Sequence, residues 1–243
     1  MKEVKSNKVR LDRFLSSQNI AARKDSSKLI RRGAVTVDGI TVKDPGQHID
    51  AQLCRVEVNG VAVEYRKYIY LMMNKPAGVL SASRDSHAKT VLDILPDAYV
   101  RRGLFPAGRL DKDTTGLLII TDDGEYSHKM LHPKKHVSKL YRAKLRDEVT
   151  QECAAGFSKG VLYEGISYMP ARLDIEDEHH ALVEIQEGKY HQVKKMFQAY
   201  GNFVEELMRL SIGSLDLDKN LNLGDTRIMT AEEAMLVFDG IIH

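Results

Sequence analysis

Residues 107–124 read AGRLDKDTTGLLIITDDG. The polar run GRLDKDTTG sets two carboxylates, Asp111 and Asp113, between Arg109 and Gly116, then passes directly into Leu117-Leu118-Ile119-Ile120. Four large apolar residues bounded by a glycine and by Thr121-Asp122-Asp123-Gly124 predict a buried strand between two turns. A carboxylate loop feeding such a strand holds a reactive Asp on a rigid support at the floor of a cleft. Spacing alone leaves a solvated turn open, with Asp and Thr side chains holding backbone amides. It also suggests a calcium loop, because Asp111, Asp113, Thr115 and Gly116 take the first, third, fifth and sixth places of an EF-hand. That reading fails further on, where the ninth place is Ile119 and the twelfth is Asp122 instead of Glu.

Working outward, 243 residues suffice for one large domain or for a small domain followed by a medium one. The two cysteines, Cys54 and Cys153, show no CxxC spacing, which argues against a zinc ribbon or a disulfide framework. The start, MKEVKSNKVR, has no apolar core, and no apolar run approaches a bilayer span, so a cytoplasmic chain is expected. His128, His132 and His136 recur every four residues, but Pro133 interrupts the helix that would align them, and no metal site is expected. Walker and dinucleotide glycine patterns are missing too, so no cofactor is implied.

Charge is uneven along the chain. The net formal charge is only +2, yet residues 1–32 hold ten Lys or Arg against Glu3, Asp12 and Asp25. A basic end on a near-neutral protein suits a polyanionic partner. Within it Leu11, Phe14 and Leu15 recur at helical spacing, with Asp12 and Arg13 expected outward. A second helix is expected from capping oxygens at Asp25-Ser26 through Leu29-Ile30 to Arg32, stopping at Gly33. Short strands follow at 34–37, 40–42 and 55–58, with Asp38-Gly39 and Asn59-Gly60 as hairpin turns. This text, LDRFLSSQNIAARKDSSKLIRRGAVTVDG, resembles the S4 RNA-binding domain. The resemblance implies that Arg23, Lys24, Lys28, Arg31 and Arg32 face RNA phosphates, contacts that supply affinity with little sequence information. Ala22-Arg23-Lys24 stands where members often have Ser-Arg-Arg. The first domain is taken as residues 1–66.

The remainder, 67–243, is similar to the pseudouridine synthases of the RsuA/RluA group. Four runs carry the resemblance in family order: Asn74-Lys75-Pro76-Ala77-Gly78, GRLDKDTTGLL, Lys139-Leu140-Tyr141 and EGKYHQVKKM at 187–196. Alone, the first reads as a strand ending in a Pro-Gly turn, and a Tyr on the face shared with Ala143 and Leu145 reads as core. The resemblance assigns more. Asp111 becomes the catalytic residue, and Tyr141 packs against the target base, its hydroxyl available as a late proton acceptor. Lys194, standing where relatives carry Arg, becomes the cation paired with the catalytic carboxylate, Lys195 being the alternative. Arg109 either fills the gap left by a flipped base or binds its phosphate, or else makes a surface salt bridge.

The expected fold is α+β: a small S4 (αL-like) domain, then a mixed, mainly antiparallel synthase core. The implied activity turns a uridine of RNA into pseudouridine with nothing gained or lost, and therefore without cofactor. Length and motif detail are closest to the RsuA type, which acts on one uridine of small-subunit 16S rRNA. Large-subunit 23S enzymes share the catalytic motifs, and a non-catalytic S4-type assembly factor is the reading from another class. The implied partner is ribosomal RNA or a ribosome assembly intermediate, with no membrane, and the chain is expected to be a monomer.

Overall fold

The computed structural model describes residues 8–99 and 103–239. The expectation drawn from the chain start rests largely on residues 1–7, outside that range. Contacts within the chain divide it into two units: Met1–Tyr68 with Pro96–Gly103, and Ile69–Leu95 with Leu104–His243.

In the first unit, strand β1 (Lys8–Arg10) leads into helices α1 (Leu11–Ser17) and α2 (Arg23–Arg31). Strands β2 (Val35–Val37), β3 (Ile40–Val42), β4 (His48–Asp50), β5 (Val56–Val58) and β6 (Val61–Ala62) follow. The larger sheet runs β3-β2-β5-β6, and β1 pairs with β4. Leu11, Phe14, Leu15 and Ile30 from the helices pack on Val35, Val37, Ile49 and Val56 from the strands. Both hairpin turns carry the positive φ pairs that two-residue loops require, 51° and 80° at Asp38-Gly39 and again at Asn59-Gly60.

Two expectations need correcting. Asp12 is buried instead of facing out. Arg10 donates to both its oxygens at 3.1 and 2.9 Å, and Arg23 stands 3.5 Å away, so the burial of its charge is compensated. Helix α2 starts at Arg23 behind Ala22, which offers no side-chain cap. Asp25 lies instead in the first turn, paired with Lys28 at 2.8 Å, and Ser26 Oγ donates back to the Ala21 carbonyl. An acid suits a first turn as well as a cap, since both feel the positive helix end.

The second unit is built on a nine-stranded sheet. Its chain runs β7 (Tyr70–Lys75), β8 (Phe105–Ala107), β9 (Thr115–Thr121), α3 (Gly124–Leu131), β10 (Lys139–Leu145) and α4 (Gln151–Phe157). After the hairpin β11 (Val161–Tyr163) and β12 (Ile166–Tyr168) come β13 (Arg172–Ile175), β14 (His180–Ile185), α5 (Gln192–Gln198) and β15 (Val204–Ile212). Strands β16 (Leu215–Asp216) and β17 (Thr226–Ile228) and helix α6 (Ala231–Met235) complete it. The order is β13-β14-β10-β15-β9-β7-β17, with β8 against β9 and β16 against β15. Among the described strands of this sheet only β9 and β15 pair in parallel, so the α+β expectation holds as a mixed, mainly antiparallel sheet.

The aliphatic run Leu117 to Ile120 is the middle of β9 and is fully buried. Leu117 and Ile119 meet Tyr126 and Met130 of α3 and Ala234 of α6. A strand covered on both faces reads as a continuous apolar run. Gly116 sets its position. With φ +99° it lies against Arg209 of β15, and a Cβ there would run into the Arg209 backbone. Glycine alone permits this approach.

Candidate active site

The loop before β9 is tied down by one lysine. Lys75, the last residue of β7, is fully buried and donates to the carbonyls of Pro76, Lys112 and Thr114 at 3.0, 3.2 and 2.9 Å. Gly78 N–H adds a bond to Lys112 O at 2.8 Å, and Ser81 Oγ both receives from and donates to Leu110. Between these anchors Thr114 N–H closes a turn on Asp111 O at 3.2 Å. The Asp111 and Asp113 side chains thus leave a pinned backbone.

Burial pushes the Lys75 ammonium down to about 8, against the pull of Asp113 and Asp111. Between about pH 8 and its ordinary 10.5 the unfolded chain binds a proton that the folded chain does not. Stability is therefore expected to rise with pH across that window, and to be lost as pH falls through 8, by roughly 3 kcal/mol from this group. Lys139, also pushed down to about 8 by burial, adds a contribution of the same sign. Urea midpoints from pH 7.5 to 10.5 check this: Lys75→Met should rise less steeply than wild type, and equal slopes would remove Lys75 as the source.

Helix α5 supplies the opposite wall. Gln192 is buried, takes a bond from Lys189 N–H at 3.0 Å and donates to Glu187 at 3.0 Å, which locks residues 187–192. His191 in turn adopts φ 53°. That conformation brings its Nε2 to 3.4 Å from Asp111 Oδ1 and stacks its ring on Tyr190, with centroids 3.8 Å apart. Lys194 Nζ lies 3.7 Å from Asp111 Oδ2, but its short bonds, both 2.7 Å, go to Asp113. Burial favours the neutral Asp113 carboxyl, yet the Lys194 hydrogen bond and charge outweigh it and hold that group below its ordinary value. Lys195 turns away to Glu164 at 3.2 Å.

Asp111, Arg109, Tyr141, Lys189, His191 and Gln192 line one cavity. Three sequence-derived candidates, Asp111, Tyr141 and Arg109, therefore share its wall, and Lys194 reaches Asp111 from α5. Arg109 is exposed, and no ion pair of it occurs among the described residues. The Asp at the floor of the cleft is not enclosed: the Asp111 side chain keeps 25% exposure, because the loop presents it outward while its backbone is pinned. Sequence reasoning missed Lys75 and His191. Lys75 lay in plain view in NKPAG, but nothing in its spacing indicates which carbonyls fold over it.

In the first unit Arg23, Lys24, Lys28, Arg31 and Arg32 are all exposed. A cavity of about 970 Å³ there, against about 70 Å³ beside Asp111, is lined by Lys8, Arg10, Arg13, Arg23 and His48 among others. Of the five candidates only Arg23 reaches it, so this unit carries basic side chains both along α2 and around a cleft beside α1.

The fold and the motif-bearing loops together define a class. Residues 69–199 match the family of RNA pseudouridylate synthases, residues 9–52 match the S4 domain, and the chain belongs to that synthase family. It is 44% identical over 234 residues to an uncharacterised RNA pseudouridine synthase of Bacillus subtilis, covering 94% of this chain and 98% of the relative. It is also 39% identical over 232 residues to ribosomal small subunit pseudouridine synthase A of Vibrio cholerae, covering 95% and 100%. A crystal structure described as a pseudouridylate synthase superposes with a TM-score of 0.67 at 35% identity, covering 94% of this chain and 99% of that one.

Proposed function

We propose that this synthase isomerises one uridine of small-subunit ribosomal RNA to pseudouridine, acting in the cytoplasm as a monomer on free rRNA or an assembly intermediate. The observation that carries the reading is the convergence of Asp111 and Tyr141 on one cavity, with Lys194 reaching Asp111 from α5. Relatives named for the ribosomal small subunit, alike over nearly their full length, support the choice of RNA. In the reaction the N-glycosidic bond breaks, the detached uracil turns, and its C5 bonds to C1′. Asp111 either attacks the sugar or removes its C2′ proton. Lys194 Nζ at 3.7 Å and His191 Nε2 at 3.4 Å stand against the two oxygens of that carboxylate and hold it toward the cavity. Tyr141 packs against the turning base and receives the proton from C5. Arg109, exposed at the rim, takes the place of the flipped nucleotide or holds its phosphate. The test is to map pseudouridine in small-subunit rRNA from cells lacking the protein; an unchanged map would overturn the reading.

The amino-terminal unit docks the RNA through phosphates on this reading. Changing Arg23, Lys24, Lys28, Arg31 and Arg32 together to Gln is expected to raise KM and to flatten its salt dependence. The slope should fall by up to about 4, at roughly 0.7–0.9 per phosphate. The loss will be smaller to the extent that Arg23 and Lys28 stay with Asp12 and Asp25. Turnover at saturating RNA should persist. An unchanged slope would move the docking role to Lys8, Arg10 and Arg13 around the cleft.

A further inference from the structure

Arg209 stands out in the interior of the second unit. It is 3% exposed and sits on β15 directly across from Tyr141. Its Nε donates to Leu117 O at 2.7 Å and its Nη1 to Tyr141 Oη at 3.5 Å, while Nη2 is buried with no partner. No carboxylate forms an ion pair with it among the described residues. Buried guanidinium groups ordinarily have one. Its neighbours deepen the anomaly: Lys139, on the Tyr141 face of β10, is pushed down by burial and then by the Arg209 charge. Lys75 feels Arg209 as well, after burial and the opposing pull of Asp113 and Asp111. On the cavity side Tyr141 shares the wall with charges of both signs, Asp111 against Arg109 and Lys189. Behind it the fold keeps cations and leaves the counter-charge to be supplied. The group hydrogen-bonded to Arg209 that can acquire negative charge is the Tyr141 phenol.

We propose that Arg209 is a positioning residue that makes the Tyr141 hydroxyl competent to take the C5 proton in the closing step of isomerisation. This rests on the reaction proposed above. Once C5 has bonded to C1′, C5 still carries its hydrogen. Tyr141 gives its phenolic proton to N1 of the N1=C6 intermediate, and the phenolate so formed takes the proton from C5. The C5–H pair becomes the C5=C6 double bond and the N1=C6 pair returns to N1, so the side chain ends as the phenol it began as. The Arg209 guanidinium supplies the positive charge that holds the phenolate, and its Nη1 fixes the oxygen as an acceptor.

The test compares the full-length wild type with Arg209→Gln, Arg209→Lys and Tyr141→Phe on rRNA transcribed with protium or deuterium at uridine C5. Arg209→Gln is expected to lower kcat by roughly 100-fold, the scale of a lost proton-transfer aid, with KM nearly unchanged. Its C5 isotope effect should exceed that of the wild type. Arg209→Lys, which keeps the charge and loses the fork, should recover part of the rate and lower the isotope effect again. Adding Arg209→Gln to Tyr141→Phe should cost little more than Tyr141→Phe alone. A slowed Arg209→Gln with the wild-type isotope effect, or losses that multiply in the double variant, would overturn the proposal in favour of a packing role. Should Arg209→Gln fail to fold, Arg209→Lys alone decides: a slower rate without a raised isotope effect overturns it. Wild-type enzyme that forms no pseudouridine overturns the reaction itself, and this inference with it.

Discussion

Asp111→Asn is expected to reduce pseudouridine formation below about one part in 10³ of wild type, the scale on which nucleophile replacements act. RNA affinity should stay within a few-fold. The amide keeps the shape of the carboxylate, and the loop that carries it is anchored by Lys75, Ser81 and Gly78 through backbone groups that the substitution leaves alone. What is lost is the anion, which both routes open to Asp111 require. Single-turnover assays on rRNA fragments, paired with filter binding, separate chemistry from docking. An Asn variant that turns over at more than a trace rate removes Asp111 from its role. Equal loss of binding and turnover would instead mean that the carboxylate mainly shapes the cleft.

Lys194→Met should also cripple turnover, by roughly 10- to 100-fold in kcat, the range for losing a charged hydrogen-bond partner. The lower end of that range applies if Lys194 serves Asp111 only at the 3.7 Å separation seen here, with His191 still 3.4 Å from the other oxygen. The upper end applies if Lys194 leaves Asp113 for Asp111 when RNA enters. Lys194→Arg should keep substantial activity. Lys195→Met should change kcat little, because its ammonium is engaged with Glu164. A Lys194→Met enzyme as active as wild type would end the assignment.

Much of this was legible in the sequence, and the reasons differ by residue. Strand β9 announced itself because four apolar residues between two turns have few other uses. Both hairpins of the first unit followed from Asp-Gly and Asn-Gly, where local chemistry decides the geometry. Strand β10 and its buried Tyr141 followed from alternation. Helix α4 was not foreseen, since QECAAGF offers little periodicity and contains Gly156, which lies where the Tyr200 hydroxyl leaves no room for a Cβ. Strand β8 hid behind Pro106, a residue that sheets tolerate only at their margins. Asp12, Lys75 and Arg209 were misjudged or passed over for a common reason. Charged residues are almost never fully buried unless paired, and no sequence pattern reveals these partners: the Arg10 side chain for Asp12, three backbone carbonyls for Lys75, and the Leu117 carbonyl, 92 residues away, for Arg209. The split loyalty of Lys194 between Asp111 and Asp113 was equally hidden, because two carboxylates two residues apart look alike until the loop is folded.

The parallel pairing of β9 with β15, made possible by Gly116, has a kinetic consequence. Leu117 O and Arg209 Nε, joined at 2.7 Å, are 92 residues apart, and Lys194 reaches Asp113 across 81. Closing such loops is entropically slow, and contacts of this kind form late compared with hairpins. The hairpins of the first unit and the β7–β9 ladder can form while the ribosome is still adding residues beyond 150. The cleft cannot, because β15 and α5 must emerge first. A nascent chain would thus be able to fold its S4 domain well before it has any means of altering a nucleotide.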